Sequence, residues 1–407
     1  MSLDDLPRFR EEAHALAKDI HELDIDRLAA EARFSERLAV LSGRANDLAV
    51  KLQNWNPTEP PTPTPTRPVV RMARAIYNDP DIDGRWARQI VQGQPETVKR
   101  IPALKQAGAE EILRYTFPLT WTDHPHAAYR MGADPAAFNP AWLATRSGSR
   151  IRSTKFDAGD GFGHYLIDVG LTAYQQASAQ WLIRKCQTEG YTGIYLDEIN
   201  EFQAYAGYTI PSNYANDYRF QIAQLAYIRY VAAELKNAGL SCHVNLASNA
   251  TAWRQHVADA CDGVEIEFFV VQYTVNSLDA WHVANLSNGV WKEQLDWVAA
   301  NEARGHSTMC QADARNENEV RYALASMLLV TEGNGVFAAT KGGYGTGSAW
   351  WTADMANAQK LGQPMGAKRT TPDGLHVRDF EQGSVAVNPS TKPINTLPAT
   401  SGLIELR

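Results

Sequence analysis

The stretch Gly193-Ile194-Tyr195-Leu196-Asp197-Glu198-Ile199-Asn200 decides the fold. Gly193 opens it, and three apolar residues follow, the pattern of a short strand buried on both faces. Two carboxylates and an amide then stand where a parallel strand passes into its βα loop. In α/β barrels the reactive groups occupy that end of the strands. A carboxylate at a buried strand end costs free energy unless it is paired or hydrogen-bonded. Capping a helix is the plain structural use of such an acid. A second acidic strand downstream, residues 263–271 with Glu265 and Glu267, favours a functional use.

Outward from residues 193–200, strands and helices alternate. Strands are expected over residues 69–77, 111–119, 164–170, 193–200, 241–247, 263–271, 307–313 and 335–340. Helices are expected near 96–107, 172–188, 214–237, 290–304 and 317–330. The longest carries Ile222, Leu225, Ile228, Ala232 and Leu235 on one face, with Gly239 just past its end. Eight strands alternating with helices predict an α/β protein, a (β/α)8 TIM barrel over residues 69–362. The competing architecture is an open doubly wound sheet, but no strand is followed by a Gly-rich phosphate loop. Residues 120–163 form a long excursion rich in Trp, Pro, Arg and Gly. A stretch of that length inside a compact fold is more often functional than filler. Residues 363–407 contain the runs GLHVRDF, SVAVN and GLIEL and predict a small antiparallel β appendage.

Ahead of the barrel the pattern differs. Leu6, Phe9, Ala13, Leu16, Ile20 and Leu23 follow an alternating 3,4 spacing, and Leu38, Leu41, Ala45, Leu48 and Leu52 resume it after a stutter. Such a stripe on a polar helix cannot bury itself alone, so residues 1–53 predict a coiled-coil helix, roughly 70 Å long if continuous. Residues 54–68, NWNPTEPPTPTPTRP, are a Pro/Thr linker that favours extended polyproline II. Helix, spacer and barrel together read as a stem carrying an effector domain.

The 407 residues are 44% hydrophobic, enough for a large core. A net charge of -7 offers no nucleic-acid surface. No segment has the apolar length of a membrane span, and the N-terminus lacks the basic and apolar regions of a signal peptide. Cys186, Cys242, Cys261 and Cys310 are widely spaced, with no C-x-x-C pair, and are expected as buried free thiols made in a reducing cytosol.

Side chains alternate along a strand, so Tyr195 and Asp197 share a face, as do Glu265 and Glu267. With those faces inward, Asp197 and Glu267 stand at the barrel mouth and Glu265 one layer deeper. Two carboxylates across a sugar-sized gap are what glycoside hydrolysis requires. Phe268, Phe269 and Tyr273 lie close enough in sequence to desolvate Glu267. Glu198, Asn200, Asn245, Gln311 and Asp313, with Asp168 at the end of the expected third strand, suit hydrogen bonding to sugar hydroxyls. Trp350 and Trp351, after the Gly-rich run 341–348, suit either sugar stacking or packing against the β appendage. No cofactor or metal is expected: there is no H-x-H at a strand end, no G-x-S-x-G elbow, and no inward Lys on strands four to eight.

The run from Tyr191 to Glu198 resembles the strand-four signature of the hypothetical glycosyl hydrolase family 15. Asn139-Pro140-Ala141-Trp142, Leu166-Ile167-Asp168, the acidic sixth strand and Leu361-Gly362-Gln363-Pro364-Met365-Gly366 resemble it too. The resemblance covers residues 69–390. It implies Asp197 as nucleophile and Glu267 as acid/base, with Glu265 competing for the second role. It also implies a minor tail protein of bacteriophages that infect actinobacteria, located in the virion tail. Its partners would be cell-envelope polysaccharide and other tail proteins contacted through the N-terminal helix. The heptad residues are too mixed to choose dimer or trimer; tail symmetry favours a trimeric homo-oligomer. Two further classes stay open: a receptor-binding module that grips glycan without cleaving it, and a structural tail component.

Overall fold

The computed structural model describes residues 68–74, 82, 84–124, 129–155, 162–199, 201, 207–246, 252–273, 281–283, 289–341 and 349–407. The helix expected over 1–53 and the linker up to residue 67 lie outside them. Eight parallel strands close a barrel: β1 (Arg71–Arg74), β2 (Arg88–Val91), β3 (Glu111–Thr116), β4 (Gly193–Leu196), β5 (Ser241–Asn245), β6 (Gly263–Ile266), β7 (Ser307–Asp313) and β8 (Gly335–Thr340). Each pairs with the next in chain order, and β8 returns to β1. Between them come α1 (Ile101–Gln106), α2 (Thr172–Glu189), α3 (Asp217–Asn237), α4 (Ala252–Ala258), α5 (Val290–Ala303) and α6 (Glu317–Leu328). Among the described residues no helix is long and apolar enough to cross a membrane.

Strand alternation separates two cores. Outward residues such as Ile112, Ile194, Val244, Ile266 and Phe337 join the apolar faces of the helices in one large cluster. Each such buried side chain contributes about 1.5–3 kcal/mol. Inward residues form a second, smaller cluster: Ala73, Ile90, Leu113, Tyr115, Tyr195, Met309, Val336 and Ala338. Tyr115 and Tyr195, in register on β3 and β4, stack with centroids 5.9 Å apart.

The barrel differs from the sequence reading at its second and third strands. Residues 164–170 do not form a barrel strand. His164–Leu166 instead pairs antiparallel with Thr120–Thr122, inside the excursion between β3 and α2. The place beside β4 is taken by β3, with Leu113 opposite Gly193 and Tyr115 opposite Tyr195. The eighth strand is β2, Arg-Gln-Ile-Val, which has only two apolar residues and escapes a pattern search. Asp168 therefore does not stand at the end of a barrel strand. The first helix is also split, into Pro95–Val98 and α1, each with a Pro in its first turn. Proline suits that position because its missing N–H has no intrahelical partner there.

After β8, α7 (Ala353–Ala358) leads to a four-stranded antiparallel sheet: β9 (Arg369–Thr370), β10 (His376–Phe380), β11 (Gly383–Asn388) and β12 (Ser401–Leu406). Gly402 lets β12 lie on α6, since a Cβ there would stand 2.7 Å from the Ala325 Cβ and 2.9 Å from the Arg321 carbonyl. Buried Arg378 donates to the Leu328 and Thr331 carbonyls at 3.3 and 2.7 Å, satisfying groups at the end of α6.

Candidate active site

The ladder between β3 and β4 runs one residue past Leu196: the Asp197 N–H donates to the Thr116 carbonyl at 2.9 Å. This keeps Asp197 on the inward parity of Tyr195 and sets its carboxylate at the C-terminal mouth. Three donors hold that carboxylate. The Tyr115 phenol reaches Oδ2 at 2.5 Å, the Asn245 amide reaches Oδ1 at 2.9 Å, and the Glu198 N–H reaches Oδ1 at 2.8 Å. Glu198 adopts a φ of +58°, in the left-handed region that favours glycine. A non-glycine residue held there costs about 1 kcal/mol or more, a strain often found at functional sites. Among the described residues Asp197 makes no ion pair.

Asn245 ends β5 and also donates to Glu267 Oε2 at 3.0 Å. One amide nitrogen thus touches both carboxylates. Legs of 2.9 and 3.0 Å limit the separation of those two oxygens to about 6 Å. Glu265 lies deeper on β6, 2% exposed, and accepts a hydrogen bond from the Tyr195 phenol. Burial pushes its carboxyl well above the ordinary range, and the charges of Glu267 and Asp197 push the same way. Tyr195 and Arg88 act in the opposite sense without reversing it. Burial therefore favours the protonated form of Glu265, whereas Glu267 is half-buried at the mouth.

The other end of the barrel is built differently. Glu111, at the start of β3, accepts from Arg88 Nε at 2.8 Å and Arg71 Nη1 at 3.2 Å. Arg88 also donates to the Ser307 hydroxyl at 2.9 Å. Burial alone would raise the Glu111 carboxyl, but the guanidinium charges outweigh it and hold it at about 2. His243 Nε2 lies 3.7 Å from Glu111, and burial together with the Arg88 charge keeps the imidazole neutral, at about 3.

The remaining candidates are dispersed. Gln311 and Asp313 are buried on β7, and Asp313 accepts from the Thr340 hydroxyl at 3.1 Å. Asp168 is buried in the excursion and accepts from Asn213 at 2.7 Å, from the Gly170 N–H at 3.1 Å and from the Tyr214 phenol. Trp351 packs edge-on against Trp86 at 5.2 Å, with the Arg85 guanidinium over its ring. Trp350 donates to the Ala314 carbonyl at 3.0 Å and lies under Lys341. Asn200 and the Tyr273 side chain lie outside the described residues. Tyr115 is a residue of this candidate site that the sequence reading passed over. Its parity with Leu113 on a strand ending beside Asp197 is the signal that marks it. All four cysteines are buried free thiols. Among the described residues no three His, Cys, Asp or Glu side chains converge as metal ligands do.

No curated protein matches the chain in sequence. Solved structures similar to it include Aspergillus fumigatus Ega3 in complex with galactosamine, at 10% identity over 71% of this chain and 96% of that one, with a TM-score of 0.46. The noncanonic maltogenic α-amylase AmyB of Thermotoga neapolitana is 7% identical over 79% and 86%, with a TM-score of 0.48. The α-galactosidase of Lactobacillus brevis is 11% identical over 81% and 47%, with a TM-score of 0.44. The model of one family matches residues 114–384, well over half of the chain and spanning β3 to β11, and the protein belongs to that family, hypothetical glycosyl hydrolase family 15.

Proposed function

We propose that the barrel hydrolyses glycosidic bonds in a bacterial cell-envelope polysaccharide, with retention of anomeric configuration. The observation that carries this reading is the Asn245 amide spanning Asp197 and Glu267, oxygens no more than about 6 Å apart. Retaining enzymes place their carboxyl groups about 5–5.5 Å apart, and inverting ones about 6.5–9.5 Å. Asp197 Oδ2 attacks the anomeric carbon as the bond to the leaving oxygen breaks, and Glu267 gives that oxygen its proton. Glu267 then takes a proton from water, which attacks the same carbon and releases Asp197. A carboxylate has about four acceptor positions. Three are filled on Asp197, which fixes its orientation and leaves one on Oδ2 for attack. Glu265 lies beneath the pair, where burial and the two neighbouring carboxylates disfavour a third negative charge.

The biological setting in this reading is a bacteriophage tail acting on an actinobacterial host. Its support is the amphipathic stripe of residues 1–53 and the Pro/Thr spacer, which suit a stem that associates, as a trimer, with other tail proteins. Light scattering on the full chain checks the stem: a trimer mass supports it and a monomer removes it.

The activity is tested by sugar release from purified actinobacterial wall polysaccharide, with the full chain beside Asp197→Asn. Release by the parent, a loss of at least about a hundredfold in the variant, and a product of unchanged anomeric configuration are expected. Undiminished release by the variant removes Asp197 from the chemical step. Binding without release by either protein moves the barrel to the glycan-gripping class.

A further inference from the structure

The excursion after β3 builds a second feature at the barrel mouth, beside the carboxylate pair. Phe117 is the next inward residue after Tyr115, and their rings meet edge to face at 5.1 Å. Phe117 also forms part of the wall of a cavity of about 40 Å³, with Thr122, His124, Arg130 and His164 among its other walls. One water needs roughly 10–15 Å³ on this measure, so the space holds a group of a few heavy atoms. Among the described residues no carboxylate lines it. The Arg130 guanidinium lies over the Phe117 ring at 5.7 Å, and among the described residues it makes no ion pair and donates no hydrogen bond.

The position of Arg130 is enforced by its backbone. Its carbonyl accepts the Phe117 N–H at 2.6 Å. The residues on either side are clamped by Arg114, 1% exposed, which donates to the Tyr129 carbonyl at 3.1 Å and the Met131 carbonyl at 3.4 Å. The backbone thus places the Arg130 guanidinium against an aromatic wall, two rings away from Asp197. The Arg130 side chain is half-buried, so it can receive an anion from the solvent side. A guanidinium matches a planar carboxylate by two parallel hydrogen bonds.

We infer that this cavity receives the carboxylate of an acidic sugar, a uronate or similarly carboxylated unit bound next to the scissile bond, with Arg130 as the residue that selects it. This rests on the assignment of the Asp197–Glu267 pair as the site of glycan cleavage. It narrows the substrate to polysaccharides with carboxyl-bearing units.

The test compares an acidic actinobacterial wall polysaccharide with the same material after chemical reduction of its carboxyl groups to alcohols. Binding of both is measured by calorimetry on the full-chain Asp197→Asn variant, where turnover cannot interfere. The acidic form should bind about tenfold more tightly, the worth of one charge-assisted contact at a half-buried site. Adding Arg130→Gln should abolish that preference, and Arg130→Lys should keep part of it. Equal binding of the two forms, no binding of either, or a preference that survives Arg130→Gln overturns the inference. The first comparison needs no change at Arg130, so a misfolded variant cannot mask the answer. Sugar release by the parent without acid preference would sink this inference and leave the hydrolase reading standing. Acid preference without release would do the reverse.

Discussion

The two ends of the barrel handle buried carboxylates in opposite ways. At the N-terminal end Glu111 is surrounded by Arg71, Arg88 and a neutral His243, and its carboxyl is held down to about 2. At the C-terminal mouth the hydrogen bonds to Asp197 and Glu265 come from neutral groups: Tyr115, Asn245 and a backbone N–H for one, Tyr195 for the other. An acid matched by cations has its charge neutralised and serves the fold. An acid held by neutral donors keeps either a usable charge or a usable proton. The same residue type therefore does structural work at one end and is available for chemistry at the other.

The largest effect should come from breaking the structural end. Glu111→Gln takes the carboxylate from buried Arg88 and leaves Arg71 with its longer contact to Glu110 at 3.5 Å, and removing one partner of a buried pair costs about 3 kcal/mol or more. Urea unfolding of the full chain should register that loss. A change below about 1 kcal/mol would mean that the network is solvated rather than buried.

The two ends should also respond oppositely to pH. Stability rises with pH wherever the unfolded chain binds more protons than the native one. Glu111, lowered on folding, contributes stability above about pH 4.5 that is lost as pH falls toward about 2. Glu265, raised on folding, contributes stability below about pH 4.5 that is lost as pH climbs through its folded value. Melting temperatures across pH should therefore show Glu111→Gln flattening the acid limb and Glu265→Gln flattening the alkaline limb. Identical profiles for the two variants would erase the contrast.

Chemistry should separate the two glutamates of β6. Glu267→Gln removes the proposed proton donor and should lower sugar release by about a hundredfold. Glu265→Gln replaces a carboxyl whose burial favours the protonated form by a neutral amide of the same shape and should keep release within about threefold. A reversal of that order would transfer the acid/base role to Glu265. An effect between those two is expected from Tyr115→Phe, which deletes one donor to Asp197 and should slow release about tenfold, with the fold retained.

Much of this site is legible in the chain itself. Period-two alternation puts Asp197 with Tyr195 and Glu267 with Glu265, and the short apolar runs ahead of them are barrel-strand lengths. The limits appear at β2. Arg88-Gln89-Ile90-Val91 reads as a loop because a buried arginine looks like an exposed one until its partner is known. Its partners, Glu111 and Ser307, lie 23 and 219 residues away. The run from His164 to Leu166 fails in the converse way: it is apolar enough for a barrel strand, yet it pairs within the excursion because β3 already occupies the edge of β4.

The sequence by itself determined the barrel class, the acidic ends of the fourth and sixth strands and their inward parity, because strand periodicity is local. Only the tertiary structure decided that one Asn245 nitrogen would join two carboxylates, that Tyr115 would face Asp197, and that burial would raise the Glu265 carboxyl. Those outcomes depend on distances between strands far apart in the chain and on burial, and neither is written in any single segment.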